Sequence, residues 1–324
     1  MFPVKKYQWT VLLAASYVFY LWASWRYVIF ILITTYTVYF AALAMYRNIK
    51  EAKETVAQHK EEWDKEQKKQ YKEGMKKKRK RLLILVLVLN LGILVFLKYF
   101  NLFAGGLNTL LGFTGIETSV PILKLFLPLG ISFYTFQSTG YLIDVYREKI
   151  EPEINPAKYA LFVSFFPQII QGPISFYDQL AHQLYAEHSF SYKNLKYGAF
   201  LMLWGYLKKM VIADRAVSLI NTVTADYRQY SGTVILITVL VYALQLYADF
   251  SGGIDISRGF AEILGIQMAE NFRRPYFAVN INDYWRRWHI TLGAWMKNYV
   301  FYSLAMSKRF LKMGKDLKQK YGTN

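Results

Sequence analysis

Apolar side chains run almost unbroken from Trp9 to Met45, interrupted mainly by Arg26, which predicts two membrane-spanning helices at about 8–24 and 27–46. Aromatic residues crowd the turn at Trp25–Arg26, as interfacial anchors do. The apolar core of a cleavable signal is only about 7–15 residues, so this longer run reads as an uncleaved helical hairpin. At residue 47 the pattern changes. From 47 to 81 there is no apolar run, and 14 Lys or Arg accompany 7 Asp or Glu, a mixture that suits an exposed helix or helical hairpin. Attraction to anionic lipid or an acidic partner is one reading of this segment. A solvated cytoplasmic loop is the preferred one, because the positive-inside tendency already explains the charge. Lys5 and Lys6 then share the cytoplasmic side, and the Trp25 turn lies opposite. Further spans follow at 82–102 and 122–143, separated by a Gly-containing stretch, 104–120.

The later apolar stretches are less regular. Residues 159–175 contain Pro167, Gln168, Gln171, Gly172 and Pro173 at what would be membrane depth. Irregular backbone there needs protein or a water-filled cavity to satisfy it, so a short or re-entrant helix lining a cavity is expected. Segment 195–222 carries Lys208, Lys209, Asp214 and Arg215 and is expected to lie partly at the interface. Span 233–250 runs into Asp249, Ser251, Gly252, Gly253 and Asp255, read as a polar break or as a site of close helix packing. Residues 283–305 predict an aromatic, basic helix, and the tail 308–324 has six Lys or Arg against one Asp. The expected architecture is all-α: one polytopic transmembrane bundle over 1–324 with re-entrant or broken helices, and 47–81 as its basic cytoplasmic helical loop.

Composition sharpens this. Of 324 residues 54% are hydrophobic and 18% aromatic, with the charge segregated into a few stretches, which argues against an ordinary soluble protein. The net charge of +18 invites a nucleic-acid reading, but the basic residues lie between and beside apolar spans, so no nucleic-acid partner is expected. The absence of Cys excludes disulfides, thiolate metal sites and a Cys nucleophile. His59, His182, His188 and His289 show no metal-ligand spacing, and no metal is expected.

An ionisable residue inside a span costs about 2.5–3.5 kcal/mol on insertion scales, so each calls for a partner or a function. Asp249 and Asp255 are such residues, with Arg258, Arg286 and Arg287 as candidate partners; a purely structural ion pair is an equal reading for Asp249. A sharper constellation is Asp283-Tyr284-Trp285-Arg286-Arg287-Trp288-His289. On a continuous helix Trp285, Trp288, Leu292, Trp295, Tyr299 and Tyr302 form one stripe, with His289 at its edge on the side of Arg286. Gly293 would leave an opening beside the imidazole, and Arg287 can pair with Asp283. Fixed positive charge and aromatic walls would hold His289 neutral, the form able to accept a proton from a hydroxyl. The competing reading is an interfacial aromatic and basic belt that anchors the helix.

Six strings in order carry a family resemblance: 128–137 (PLGISFYTFQ), 141–147 (YLIDVYR), 166–174 (FPQIIQGPI), 247–252 (YADFSG), 270–276 (ENFRRPY) and 285–292 (WRRWHITL). Together they resemble the membrane-bound O-acyltransferases, in their alginate O-acetyltransferase branch, over about residues 9–310. The resemblance implies a ring of helices around a central funnel and tunnel in the bacterial plasma (inner) membrane. It implies transfer of an acetyl group from a cytoplasmic donor, acetyl-CoA or an acyl carrier, toward hydroxyls of an extracytoplasmic polysaccharide or peptidoglycan. No cofactor is expected to remain bound. A partner related to serine hydrolases would complete transfer outside. On this reading Gln168, Gln171, Asp249 and Ser251 line the passage, with Trp285, Arg286, Trp288 and His289 near the reacting ester. His289 matches a position where other branches have Asn, which points to an assisting or orienting role. The principal family His belongs to a later helix in a Trp-His-Gly setting, expected beyond Asn324, so the chain reads as a fragment or truncated product. D-Alanyl transfer to teichoic acid, in the same family, and a non-catalytic membrane scaffold are the alternatives.

Overall fold

A computed structural model of the protein describes residues 5–114, 120–123 and 127–322, without the side chains of Ser24 and Lys308. Among these residues the secondary structure is helical, and there is no strand. The helices are α1 (Gln8–Ser24), α2 (Val28–Gln58), α3 (Lys65–Phe113), α4 (Ile131–Tyr146), α5 (Pro156–Ser164), α6 (Phe166–Gln171) and α7 (Tyr177–Tyr185). Beyond them come α8 (Tyr192–Tyr206), α9 (Asp214–Ala225), α10 (Gly232–Ile263), α11 (Ile281–Arg287), α12 (Ile290–Trp295), α13 (Tyr302–Ala305) and α14 (Lys308–Tyr321). π-Helical turns at Leu207–Ala213 and Met296–Phe301 join α8 to α9 and α12 to α13. Three stretches are long and apolar enough to cross a bilayer: Trp25–Gln58, Lys65–Phe113 and Gly232–Ile263. Leu85, Val88, Leu236 and Leu240 stand more than 60% exposed on two of these helices, an arrangement that lipid tolerates and water does not. The molecule is an all-α membrane protein.

The chain divides into two compact units, Met1–Ile170 with Phe176–Glu187, and Gln171–Ser175 with His188–Asn324. In the first, α2 packs against α3 and α4, and α1 against α5. Its core is aromatic: Tyr20, Tyr134, Tyr141, Tyr159, Phe162 and Phe165 are all buried. Of these hydroxyls, that of Tyr141 finds a partner at the loop that follows α4, accepting from the Glu153 N–H (2.9 Å), and nearby Tyr177 donates to Glu153 Oε2 (3.0 Å). The charged segment after residue 47 forms a helical hairpin, as its composition predicts. Asp64 caps α3 by accepting from Gln67 N–H (2.6 Å), while Gln67 Oε1 accepts from Asp64 N–H (3.0 Å), a reciprocal capping box. In the turn before it His59 stacks on Trp63 (4.6 Å), and Trp63 meets Tyr71 in a tilted contact (5.2 Å).

One expected span differs, and one expected break is present. The span at 122–143 includes residues 124–126, outside the described residues, and its helix begins only at Ile131 after a left-handed Gly130 (φ 68°). The stretch 159–175 does break, at Phe165 between α5 and α6.

In the second unit α8 packs along α10, and glycines on both permit backbone contact. A Cβ on Gly205 would lie 2.6 Å from the carbonyl oxygen of Gly252, and one on Gly252 would lie 2.8 Å from that of Gly205. Membrane helices lack a hydrophobic drive to associate, so small residues that admit close packing carry the interface. This explains why α10 runs unbroken through Asp249–Asp255, where a polar break is one expectation: the glycines serve close packing. Gly205→Val is expected to destabilise detergent-purified protein by about 1–3 kcal/mol or more, read as a lowered thermal midpoint. Gly232→Ala, where an added Cβ meets nothing within 4 Å, is the control and leaves the midpoint in place.

Candidate active site

The expected continuous helix over 283–305 does not form. Trp288 is extended (φ −102°, ψ 126°) and His289 left-handed (φ 45°, ψ 53°), so α11 stops and α12 starts anew. His289 therefore does not share a helical face with Arg286, and the long aromatic stripe is interrupted. A left-handed non-glycine residue costs about 1–3 kcal/mol and persists only where its surroundings over-determine it. Here segment 271–273 does so. Arg273 N–H donates to the Arg287 carbonyl (2.9 Å), and Ile290 N–H to the Asn271 carbonyl (3.0 Å). These bonds absorb backbone groups released by the break.

Asn271 is the hub. It is 1% exposed, and its Oδ1 accepts from the Thr291 N–H (2.9 Å) and the Thr291 hydroxyl (2.9 Å), with His289 Nδ1 at 3.2 Å. The Thr291 N–H can only donate, which fixes Oδ1 as the amide atom facing it. His289 must then carry its proton on Nδ1 and donate it to that same oxygen, leaving Nε2 as an acceptor. Thr291 Oγ1 in turn accepts from the Ile174 N–H (3.1 Å), so the segment Gly172–Pro173–Ile174 is tied into the network. Asn271 Nδ2 is buried without a partner, a spare donor within one amide group of the imidazole.

Aromatic rings wall the site: Phe250 meets the His289 ring edge to face (4.8 Å, 89°), and Phe272 packs on both Phe250 (5.1 Å) and Trp288 (5.0 Å). Space over Gly293 is open. His289 lies outside the three long apolar helices, and burial pushes its imidazole down to about 4. The neutral form is the expected one, but burial holds it there rather than neighbouring positive charge.

Of the expected partners of the acidic residues on α10, Arg258 does pair with Asp255, whereas Arg287 pairs with Asp283 and two lysines take the nearest places. Asp249 pairs with Lys209, and Asp255 with Lys208 (2.7 Å), Arg258 standing 3.6 Å away. Lys208 also donates to Ser251 Oγ (2.9 Å), which is buried. Both lysines come from the π-helical turn Leu207–Ala213, an irregularity frequent at functional sites. Arg287 does pair with Asp283 (2.9 Å), as expected. A cavity of about 620 Å³ beside this cluster is lined by Lys208, Asp255, Arg258, Arg273, Arg274 and Arg287 among others. Arg274, left-handed at φ 48°, has no ion pair among the described residues. His289 is not among the residues lining that cavity.

The other expected site residues occupy different local surroundings. Trp285 is 60% exposed and Arg286 is exposed, whereas Trp288 is packed against Phe272 and Tyr284. Gln171 lies over Gly253, where a Cβ would strike its side chain. Gln168 belongs to the first unit and is buried there, donating to Gln137 Oε1 (2.7 Å), which donates through Nε2 to the Phe162 carbonyl (2.9 Å). Asn271 and Lys208 are absent from the sequence-based site. Asn271 stands in one of the six strings and Lys208 is an ionisable residue in an apolar stretch, but neither signal shows what each would meet. Among the described residues no group of three His, Asp or Glu is placed to hold a metal.

The sequence model of the membrane-bound O-acyltransferase family (MBOAT) matches residues 148–315, more than half of the chain and all of the network above. The chain belongs to this family. It is 33% identical over 304 residues to the probable alginate O-acetylase AlgI of Pseudomonas aeruginosa, covering 93% of this chain and 52% of that protein. It is 35% identical over 243 residues to the peptidoglycan O-acetyltransferase of Helicobacter pylori (67% and 45%). With the teichoic acid D-alanyltransferase of Bacillus subtilis it shares 30% over 177 residues (53% and 44%). The chain spans about half the length of the curated relatives it matches.

Proposed function

We propose that this protein is the transmembrane subunit of an O-acetylation system in the bacterial inner membrane. It takes acetyl from a cytoplasmic thioester, acetyl-CoA or an acyl carrier, and passes it toward hydroxyls of an extracytoplasmic polysaccharide or peptidoglycan. An extracytoplasmic partner of serine-hydrolase type completes delivery. The observation that carries this reading is the imidazole of His289, kept neutral by burial and oriented by Asn271 so that Nε2 is the proton acceptor. In the assisting role, Nε2 takes up the proton of the attacking hydroxyl as its oxygen bonds to the acyl carbon. The carbon–sulfur bond breaks, and the proton passes to the leaving sulfur. The positively charged cavity at Lys208, Arg258 and Arg274 suits an anionic reactant.

The similarity to a teichoic acid D-alanyltransferase favours a second reading, transfer of D-alanine. Mild base applied to walls from cells with and without the gene separates the two. Gene-dependent release of acetate is the expected result. Gene-dependent D-alanine would replace it with the second reading, and release of neither would overturn both.

A further inference from the structure

The helical hairpin of α2 and α3 holds a cavity of about 740 Å³ whose lining has eight Lys or Arg and two Glu. The positive-inside tendency explains why such residues occur in this segment, but not how they are arranged. Lys65, Lys69, Lys72, Lys76 and Arg79 follow one another at intervals of four, three, four and three residues, so they share one face of α3 and all border the cavity. Like charges at such spacing repel and weaken the helix, unless an anion lies among them. Lys65, Lys72 and Lys76 have no ion pair among the described residues. Arg79 is 9% exposed, and only its Nη1 is engaged, by Glu148 Oε1 at 3.2 Å. Its Nε is buried and has no hydrogen-bond partner. A nearly buried guanidinium engaged at one nitrogen alone is under-satisfied, and an anion in the cavity that it borders would pair with its charge. Ile49 and Ala52 give the same cavity an apolar wall.

Two sources of anion can be weighed against the geometry. The apolar part of α3 begins at Leu82, and Lys65 precedes it by 17 residues on the same continuous helix. That distance is about 25 Å along the axis, and about 19 Å along the membrane normal even at a 40° tilt. A headgroup layer is roughly 5–8 Å thick, so lipid reaches Arg79 and Lys76 and leaves the outer lysines unserved. A soluble ligand can use the whole groove, and the volume falls in the usual range for small-molecule and cofactor sites. We infer that this groove is a binding site for a soluble, phosphate-bearing ligand of nucleotide size, with Arg79 holding a phosphate at its membrane end. The site is independent of the acyltransferase reading, and its test reads binding alone.

The probe is inorganic pyrophosphate, titrated by calorimetry onto the whole protein in nanodiscs of neutral phosphatidylcholine and, separately, of anionic phosphatidylglycerol. Saturable one-to-one binding in neutral discs is expected. The double variant Lys72→Ala/Lys76→Ala, which removes exposed and unpaired side chains, should weaken it about tenfold. Arg79→Met should weaken it at least as much, with Arg79→Lys between that variant and the unaltered protein. If Arg79→Met does not fold, the double variant decides. No saturable binding in neutral discs, or equal binding by the double variant, would overturn the site. Retention of phosphatidylglycerol that pyrophosphate cannot displace would overturn it in favour of a lipid contact.

Discussion

Replacing His289 with alanine is expected to cut base-labile acetate on the acceptor polymer by about 10²–10⁴-fold at equal membrane protein level, the range for loss of a positioned general acid–base group. Asn271→Ala should give a smaller loss, since it leaves the imidazole in place but frees its tautomer and removes the acceptor of the Thr291 N–H. His289→Asn keeps a hydrogen-bonding side chain that cannot take up a proton, and partial activity from it would favour an orienting role over proton transfer. Burial that lowers the imidazole to about 4 also sets a direction for stability. The unfolded chain takes up a proton on this His below about 6.5, whereas the folded one refuses it until about 4. This group therefore lowers stability as pH falls through that window, and does not affect it above. Full acetate levels in the alanine variant would sink the role of His289, whatever the fate of the acyltransferase reading.

Lys208→Met is expected to cost about 3–5 kcal/mol of stability, because it leaves the Asp255 carboxylate without its nearest cation on an apolar helix. Arg258, 3.6 Å from Asp255, softens the loss without replacing the 2.7 Å bond. Adding Asp255→Leu to the Lys208→Met protein should recover much of the lost stability, since replacing both charges removes the unpaired one. Thermal unfolding of the purified variants checks both statements. A single variant as stable as the unaltered protein would mean that water or lipid headgroups already solvate Asp255.

The local signals in the chain are read at different fidelity. Long apolar runs become α2, α3 and α10 because hydropathy over some twenty residues is itself the physical requirement for crossing a bilayer. The hairpin after residue 47 is legible for a similar reason: charge without an apolar run leaves an exposed helix as the main regular option. The pairing of Asp283 with Arg287 is also local, four residues apart on one turn. Asp249 and Asp255 mark themselves as needing cations, but their partners Lys209 and Lys208 come from another helix 40 and 47 residues away. Which cation arrives depends on how α8 and the π-helical turn after it lie along α10, and that is set by glycine contacts rather than by charge.

Residue types, apolar runs and charge segregation by themselves determined an all-α membrane protein with a basic helical hairpin, and placed His289 among the residues of interest. The tertiary structure alone decided that the chain breaks at Trp288–His289. Helical periodicity predicts continuity there, because each residue is weighed only against neighbours within a turn or two. The break is held from outside that range, by the carbonyl and amide of Asn271, 18 residues away, and by the Thr291 hydroxyl that joins them to Ile174. Hydrogen bonds to a distant buried amide outweigh the local preference for helix, and they also choose which nitrogen of His289 is left to act.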